Sequence, residues 1–178
     1  QLSYYPYSSQ RRVMLGTRCA VATSQPLASL AGIEMLSAGG NAIDAAIAMA
    51  ITLTVVEPTS NGIGGDACAL VWDDQIHGLN GSGKSPQSLK AEVFNQQRQK
   101  SRLGWATVTV PGAVSTWREL WNKWGKLPFE QLFAPAIRYA EEGFPVSPVT
   151  ALAWQQAESY YLHLDAPEYQ AFKAVFFP

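Results

Sequence analysis

Charge is scarce in this chain. Of its 178 residues, 13 are Lys or Arg and 14 are Asp or Glu, which leaves a net charge of −1. No basic stripe runs along the sequence, and this excludes nucleic acid as a partner. Histidine occurs twice, at His77 and His163. Neither has a ligand-type neighbour at metal spacing, so no metal site is expected. Cys19 and Cys68 are the two cysteines. Both sit in apolar surroundings and read as buried free thiols, not as a disulfide framework. The longest apolar run, AAIAMAITLTVV from Ala45 to Val56, is too short to span a bilayer as a helix. The opening residues QLSYYPYSSQRRV lack the apolar core of a signal peptide, which favours a cytoplasmic location. The chain begins on Gln1 and stops on VFFP, so it reads as cut from a longer one.

What is present is apolar. Alanine, the aliphatics, the aromatics, Met and Cys make up 47% of the residues, enough for a globular domain with a sizeable core. So low a charged fraction, 15%, predicts that part of the surface is covered by another chain or chain segment. Residues 1–12 read as an irregular arm, and no boundary is visible in 1–178, which reads as one incomplete domain. CAVAT, Cys19 to Thr23, predicts a short buried strand. Pro26 opens a helix to about Ala38 whose apolar face carries Leu27, Leu30, Ile33 and Leu36, and Gly39-Gly40 ends it. Asn41 and Asp44 form a capping-box-like pair before a helix that is apolar nearly all round, hence buried. ACALVW and IHGLN predict two strands joined by a turn at DDQ. A polar helix is expected over Ala91–Lys100 and a strand over WATVTV, Trp105 to Val110. Helices follow over Ala113–Trp124, with Trp117, Leu120, Trp121 and Trp124 on one face, then over Phe129–Glu142, from Pro148 to about Leu162, and over Glu168–Phe176.

Two short patterns mimic nucleotide sites. GLNGSGKS, Gly78 to Ser85, fits the phosphate loop G-x-x-x-x-G-K-[ST]. Pro86 follows directly and removes an N–H from the turn that would cradle the phosphate. The strand feeding the loop is short and belongs to a hairpin, so nucleotide binding is disfavoured. GIGGDA, Gly62 to Ala67, fits the dinucleotide fingerprint but precedes a strand instead of opening a helix. Its glycines are expected to permit positive φ or the close approach of another segment. Asp66, Asp73 and Asp74 are candidate paired carboxylates, with Asp73 and Asp74 reading as turn residues. Ser24 and Ser60 lie in loops with no evident base. The residues alone thus describe a globular domain of helices and strands without a complete active site.

The order of motifs adds more. PLASLAGIEMLSAGGNAIDAAIAMAITLTVVEPTSNGIGGDACALVW resembles the N-terminal part of the γ-glutamyltranspeptidase family, with its Pro-Leu-Ala-Ser helix, ILxxGGNAxDAAxA and VVEPxxxGIGG. VPGAVSTWRELWNKWGKLPFEQLFAPAIRYAEEGFPVSP is similar to the family's later stretch, VPGxVxGxxxxxxxxGxLPxxxLxxPAIxLAExGFPVS. The likeness covers about residues 13–160. It implies an α+β fold, part of a four-layer αββα N-terminal nucleophile hydrolase sandwich. It implies a precursor that cuts itself before a threonine, whose hydroxyl then attacks an amide carbonyl with its own α-amine as base. The partners implied are a small-molecule amide, a γ-glutamyl compound or another acyl amide, and the small subunit of the same precursor. No metal or organic cofactor is implied. The nucleophilic threonine opens the small subunit, so no catalytic residue is expected here, and the chain reads as part of the large subunit.

The resemblance also gives the phosphate-loop mimic another meaning. In γ-glutamyl-specific members the hairpin exits as LDGRETAP, and its Arg grips the donor's α-carboxylate. This chain reads LNGSGKSP, Leu79 to Pro86. Asn80 stands for the Asp, Gly81 for the Gly and Ser82 for the Arg. Lys84, two residues on, shares a face with Ser82 if the stretch is extended. It offers a point charge but no bidentate fork. Asn80, Gly81, Ser82 and Lys84 are therefore the candidate substrate-binding residues, with a plain glycine-rich turn as the alternative. Loss of the fork admits an amidase of the family without γ-glutamyl specificity, such as a cephalosporin-acylase-like member. A non-catalytic paralogue is a third reading.

Overall fold

The computed structural model describes residues 16–90, 92 and 107–176. It is an α+β chain in two compact units. The larger is Val21–Glu141; the smaller comes from the residues on either side of it. The arm at 1–12 and nearly all of the helix expected over Ala91–Lys100 lie outside the described residues.

The larger unit starts with an antiparallel helix pair. Helix α1, Pro26–Ser37, has proline in its first turn, and the Gln25 side chain accepts from the Leu27 and Ala28 amides. Gly39 closes it at φ 88°. The face it buries is not the predicted one. Ala28, Ala31, Gly32 and Met35 are buried, whereas Leu30 and Ile33 are exposed. The reason is close packing: a Cβ on Gly32 would stand 2.7 Å from Met49 Sδ of the next helix. Small residues let the two backbones approach. Helix α2, Ala42–Val56, begins with the predicted capping box. Asn41 Oδ1 accepts from the Asp44 amide at 3.1 Å, and Asp44 Oδ2 accepts from the Asn41 amide at 2.9 Å. The helix is largely buried, as its continuous apolar run requires.

A hairpin follows. Strand β1, Cys68–Asp73, pairs antiparallel with β2, Gln75–Asn80, from Cys68↔Asn80 to Asp73↔Gln75. The tip is Asp74 at φ 59°, a conformation that Asp tolerates better than most residues. Ala69, Val71 and Leu79 pack on the core, and Leu70, Trp72 and Ile76 point away, 82%, 73% and 71% exposed. Cys68 shares that outward parity and is exposed, and Cys19 is exposed too, against the expectation of buried thiols. CAVAT forms no strand in the structure, and neither do Thr107–Val110 of WATVTV. A strand needs a neighbour for its ladder. The partner of Val110 is a single loop carbonyl, that of Lys84 at 3.0 Å.

Helix α3, Ala113–Trp124, matches its predicted bounds and buries Trp117 and Leu120 against Ile47, Ile51 and Leu132. The expected helix over Phe129–Glu142 is a 3-10 turn, Phe129–Phe133, running into α4, Ala134–Glu142. Arg138 donates to Glu34 Oε1 at 2.7 Å, and this hydrogen bond raises the Arg138 pKa further above its already high value. In the smaller unit Gly143, at φ 80°, ends α4. Ser147 then caps α5, Pro148–Tyr161, and a 3-10 turn, Pro167–Tyr169, leads to α6, Gln170–Phe176. Trp154 and Phe176, and Tyr161 and Phe172, meet ring to ring. No helix among the described residues is long and apolar enough to cross a membrane.

Asp44 is the polar pin of this arrangement. It is fully buried, and besides capping α2 it accepts from the Lys126 and Leu127 amides at 3.0 and 3.2 Å. Asp44→Ala should cost the whole protein about 3 kcal/mol, because it orphans buried N–H groups. Thr52 Oγ1 is buried without a hydrogen-bond partner among the described residues. Thr52→Val should therefore leave stability unchanged or raise it by about 1 kcal/mol. Urea unfolding of both variants checks the contrast.

Candidate functional site

Three loops converge at the open end of the hairpin. The first is the GIGGDA loop, whose Gly65 carbonyl accepts from the Gly112 and Ala113 amides at 2.9 and 3.1 Å. It thereby occupies two donors at the N-terminus of α3. The second is the hairpin exit, where the Gly81 amide donates to the Ala67 carbonyl at 2.9 Å and so extends the ladder beyond β1 and β2. The third is the entry to α3, tied to the exit by the Val110–Lys84 bond. Thr116 Oγ1 donates to the Gly112 carbonyl at 2.8 Å and also lies 3.4 Å from the Ala67 carbonyl.

The contact between exit and entry is backbone against backbone. A Cβ on Gly81 would overlap Thr116 Oγ1. One on Gly83 would overlap the Val110 carbonyl oxygen, and one on Gly112 the Gly81 carbonyl oxygen. These glycines supply closeness, which answers the phosphate-loop resemblance. The motif's first glycine, Gly78, sits inside β2, and residues 83–86 are irregular with no helix starting at Lys84. Likewise β1, not a helix, follows the GIGGDA loop.

Between exit and entry lies a shallow cavity of about 330 Å³. Asn80, Gly81, Ser82, Gly83 and Lys84 form one wall; Val110, Pro111, Gly112 and Ser115 form the other. All four residues singled out in the sequence thus come together. Exposure alternates, with 80, 82 and 84 exposed and 81 and 83 half-buried, the parity expected of an extended stretch. Asn80 Oδ1 accepts from the Ser82 amide at 2.9 Å and shapes the turn. Lys84 is the one charged residue among the described residues lining the cavity. Sequence reasoning missed Ser115, whose hydroxyl donates to the Gly112 carbonyl at 2.8 Å. Its only signal was its place in the first turn after Pro111-Gly112.

The other candidates take structural places. Asp74 is the hairpin tip, and Asp73 accepts from Trp124 Nε1 at 3.1 Å. His77 Nδ1 lies 3.3 Å from Lys123 Nζ, with its ring against Trp124. Among the described residues no three His, Cys, Asp or Glu side chains gather as a metal ion would need. Trp117 is core, as its helical spacing predicted. Since the cavity depends on close backbone approach, Gly83→Ala should destabilise the whole protein by about 2 kcal/mol or more. A lowered urea midpoint would register this, and a wild-type midpoint would refute it.

Known proteins share this fold. The profile of the family described as gamma-glutamyltranspeptidase matches residues 28–178. The chain is 36% identical over 156 residues to a glutathione hydrolase proenzyme of Bacillus subtilis, covering 83% of this chain and 27% of that protein. It is 37% identical over 155 residues to the acylase ACY 1 proenzyme of a Pseudomonas species, covering 80% and 28%. It therefore spans about a quarter of the length of these curated relatives. Among solved structures, the cephalosporin acylase of Bacillus halodurans superposes with a TM-score of 0.86 at 50% identity, over 96% of this chain and 33% of that one. The gamma-glutamyltranspeptidase of Helicobacter pylori superposes at 0.83 with 30% identity, over 94% and 48%. With matching motifs, a matching profile and a matching fold, the chain belongs to the γ-glutamyltranspeptidase family.

Proposed function

We propose that this chain is the large-subunit portion of a self-processing amidohydrolase or acyltransferase. Its nucleophile would be the N-terminal threonine of a small subunit, encoded outside this sequence. The threonine hydroxyl attacks the amide carbonyl while its own α-amine takes the proton. Backbone N–H groups hold the oxyanion, and the amine leaves as the α-ammonium returns that proton to its nitrogen. The acyl-enzyme then passes its acyl group to water or to an amine acceptor. Family membership and relatives named as proenzymes support this reading. The apolar outer face of the hairpin, Leu70, Trp72 and Ile76, supports a second layer against it, in keeping with a four-layer αββα sandwich.

In this reading Asn80, Gly81, Ser82 and Lys84 hold the acyl part of the substrate. The observation that carries the assignment is the cavity they share with the entry to α3. A second reading narrows the acyl group. Ser82 stands where γ-glutamyl-specific members carry Arg, and the charge present, Lys84, cannot grip a carboxylate in two parallel bonds. The 50% identity to a cephalosporin acylase points the same way. Acyl amides other than γ-glutamyl ones are then the better donors.

Turnover of γ-glutamyl 4-nitroanilide against simpler acyl anilides tests both readings. The wild-type protein should prefer the simpler anilides. Ser82→Arg should raise kcat/KM for the γ-glutamyl donor about tenfold by supplying the fork. A wild type that prefers the γ-glutamyl donor, with Ser82→Arg lowering that activity, would contradict the acylase reading. No turnover of any amide would contradict the enzyme reading.

A further inference from the structure

Glu57 is the C-cap of α2, which places an acidic residue at the negative end of the helix dipole. A carboxylate in that place needs compensating donors. Among the described residues it has two: Ser24 Oγ donates to Glu57 Oε2 at 2.6 Å, and Asn61 Nδ2 donates to the same oxygen at 3.2 Å. The Glu57 backbone carbonyl accepts again from Asn61 Nδ2 and from the Ser60 amide, both at 3.2 Å. One residue thus ties together the entry to α1, the end of α2 and Asn61, the residue just before the glycine loop. That loop closes on itself through the Gly65 amide and the Gly62 carbonyl at 3.4 Å, and its Gly65 carbonyl then receives the amides of Gly112 and Ala113. Gly62 and Gly64 have open space around them and no positive φ. Among the described residues, hydrogen bonds hold the loop before Gly62, through Asn61, and at Gly65.

We propose that Glu57 is a positioning residue for the cavity between the hairpin exit and α3. It fixes the start of the loop through Asn61, so that the Gly65 carbonyl meets the first amides of α3 and sets the wall formed by Pro111, Gly112 and Ser115. Its carboxylate bonds to Ser24 and Asn61, neither of which is among the described residues lining the cavity, so it acts through the loop. The kinetic consequence rests on the reading of that cavity as the acyl site; the structural consequence does not.

The test compares Glu57→Ala, Glu57→Gln, Asn61→Ala and Ser24→Ala in the whole protein. The first readout is hydrogen exchange at the Gly112 and Ala113 amides. Glu57→Ala and Asn61→Ala should each speed it about tenfold, by freeing the carbonyl that protects them. Ser24→Ala should leave it unchanged, and Glu57→Gln, which keeps an acceptor, should restore it to within about twofold of wild type. The second readout is turnover of the preferred acyl anilide. Glu57→Ala should raise KM about tenfold with kcat within about threefold, because the acyl wall moves and the nucleophile does not. If Glu57→Ala fails to fold, Asn61→Ala, which keeps the Ser24 bond, carries the test. Wild-type exchange in both Glu57→Ala and Asn61→Ala would overturn the proposal, as would an equal effect of Ser24→Ala. A wild type that cleaves no anilide would sink the acyl-site reading alone, with exchange still deciding the role of Glu57.

Discussion

The approach of two backbones, the hairpin exit at Gly81–Gly83 and the entry to α3 at Val110–Gly112, is the constraint on which the rest of the site depends. A Cβ on Gly83 would overlap the Val110 backbone and one on Gly112 the Gly81 backbone, while one on Gly81 would overlap the Thr116 hydroxyl of α3. This closeness lets one loop carbonyl, that of Gly65, cap α3, and lets the Lys84 carbonyl reach the Val110 amide. It accompanies the parity by which Ser82 and Lys84 are exposed while Gly81 and Gly83 are half-buried, Gly81 against Thr116 and Gly83 against Val110. The cavity is the space left beside that contact, so its shape follows from backbone geometry more than from side chains.

Behind the site stands a frame held at one polar point. Asp44 caps α2 and accepts from the chain just after α3, so the two helices that sandwich the core are fixed end to end. Asn41 adds a bond from its side-chain amide to the Trp124 carbonyl at 2.6 Å. The hairpin lies on this frame with one face and leaves the other bare. Large exposed apolar residues side by side on a sheet face mark a surface made for contact.

Much of the frame is legible in the sequence, because the signals involved are local. The capping box at Asn41 and Asp44, the prolines opening α1 and α5, and the glycines closing α1, α3 and α4 act within one or two turns of their own residue. The strands of the hairpin are equally local, since each is the other's neighbour. What failed was tertiary. Cys19–Thr23 and Thr107–Val110 have strand-forming residues, but among the described residues they gain no ladder. The buried face of α1 was misread because the helix packs by its small residues, with Gly32 against Met49, and size does not register in a search for large apolar side chains. At the site, the register of Asn80 to Lys84 was readable only through the family resemblance. Ser115 and the Gly65 carbonyl were not readable, because their roles arise from a contact between segments far apart in the chain.

Self-processing is the claim from which the proposed chemistry follows, and the intact mass of the protein expressed from its complete gene tests it most directly. Under denaturing conditions the account predicts two chains whose masses sum to the precursor plus one water, less any removed leader, the smaller one beginning with threonine. A single uncut chain that stays uncut after prolonged incubation would contradict it. That result would leave a family member without the nucleophile on which the proposed reaction depends.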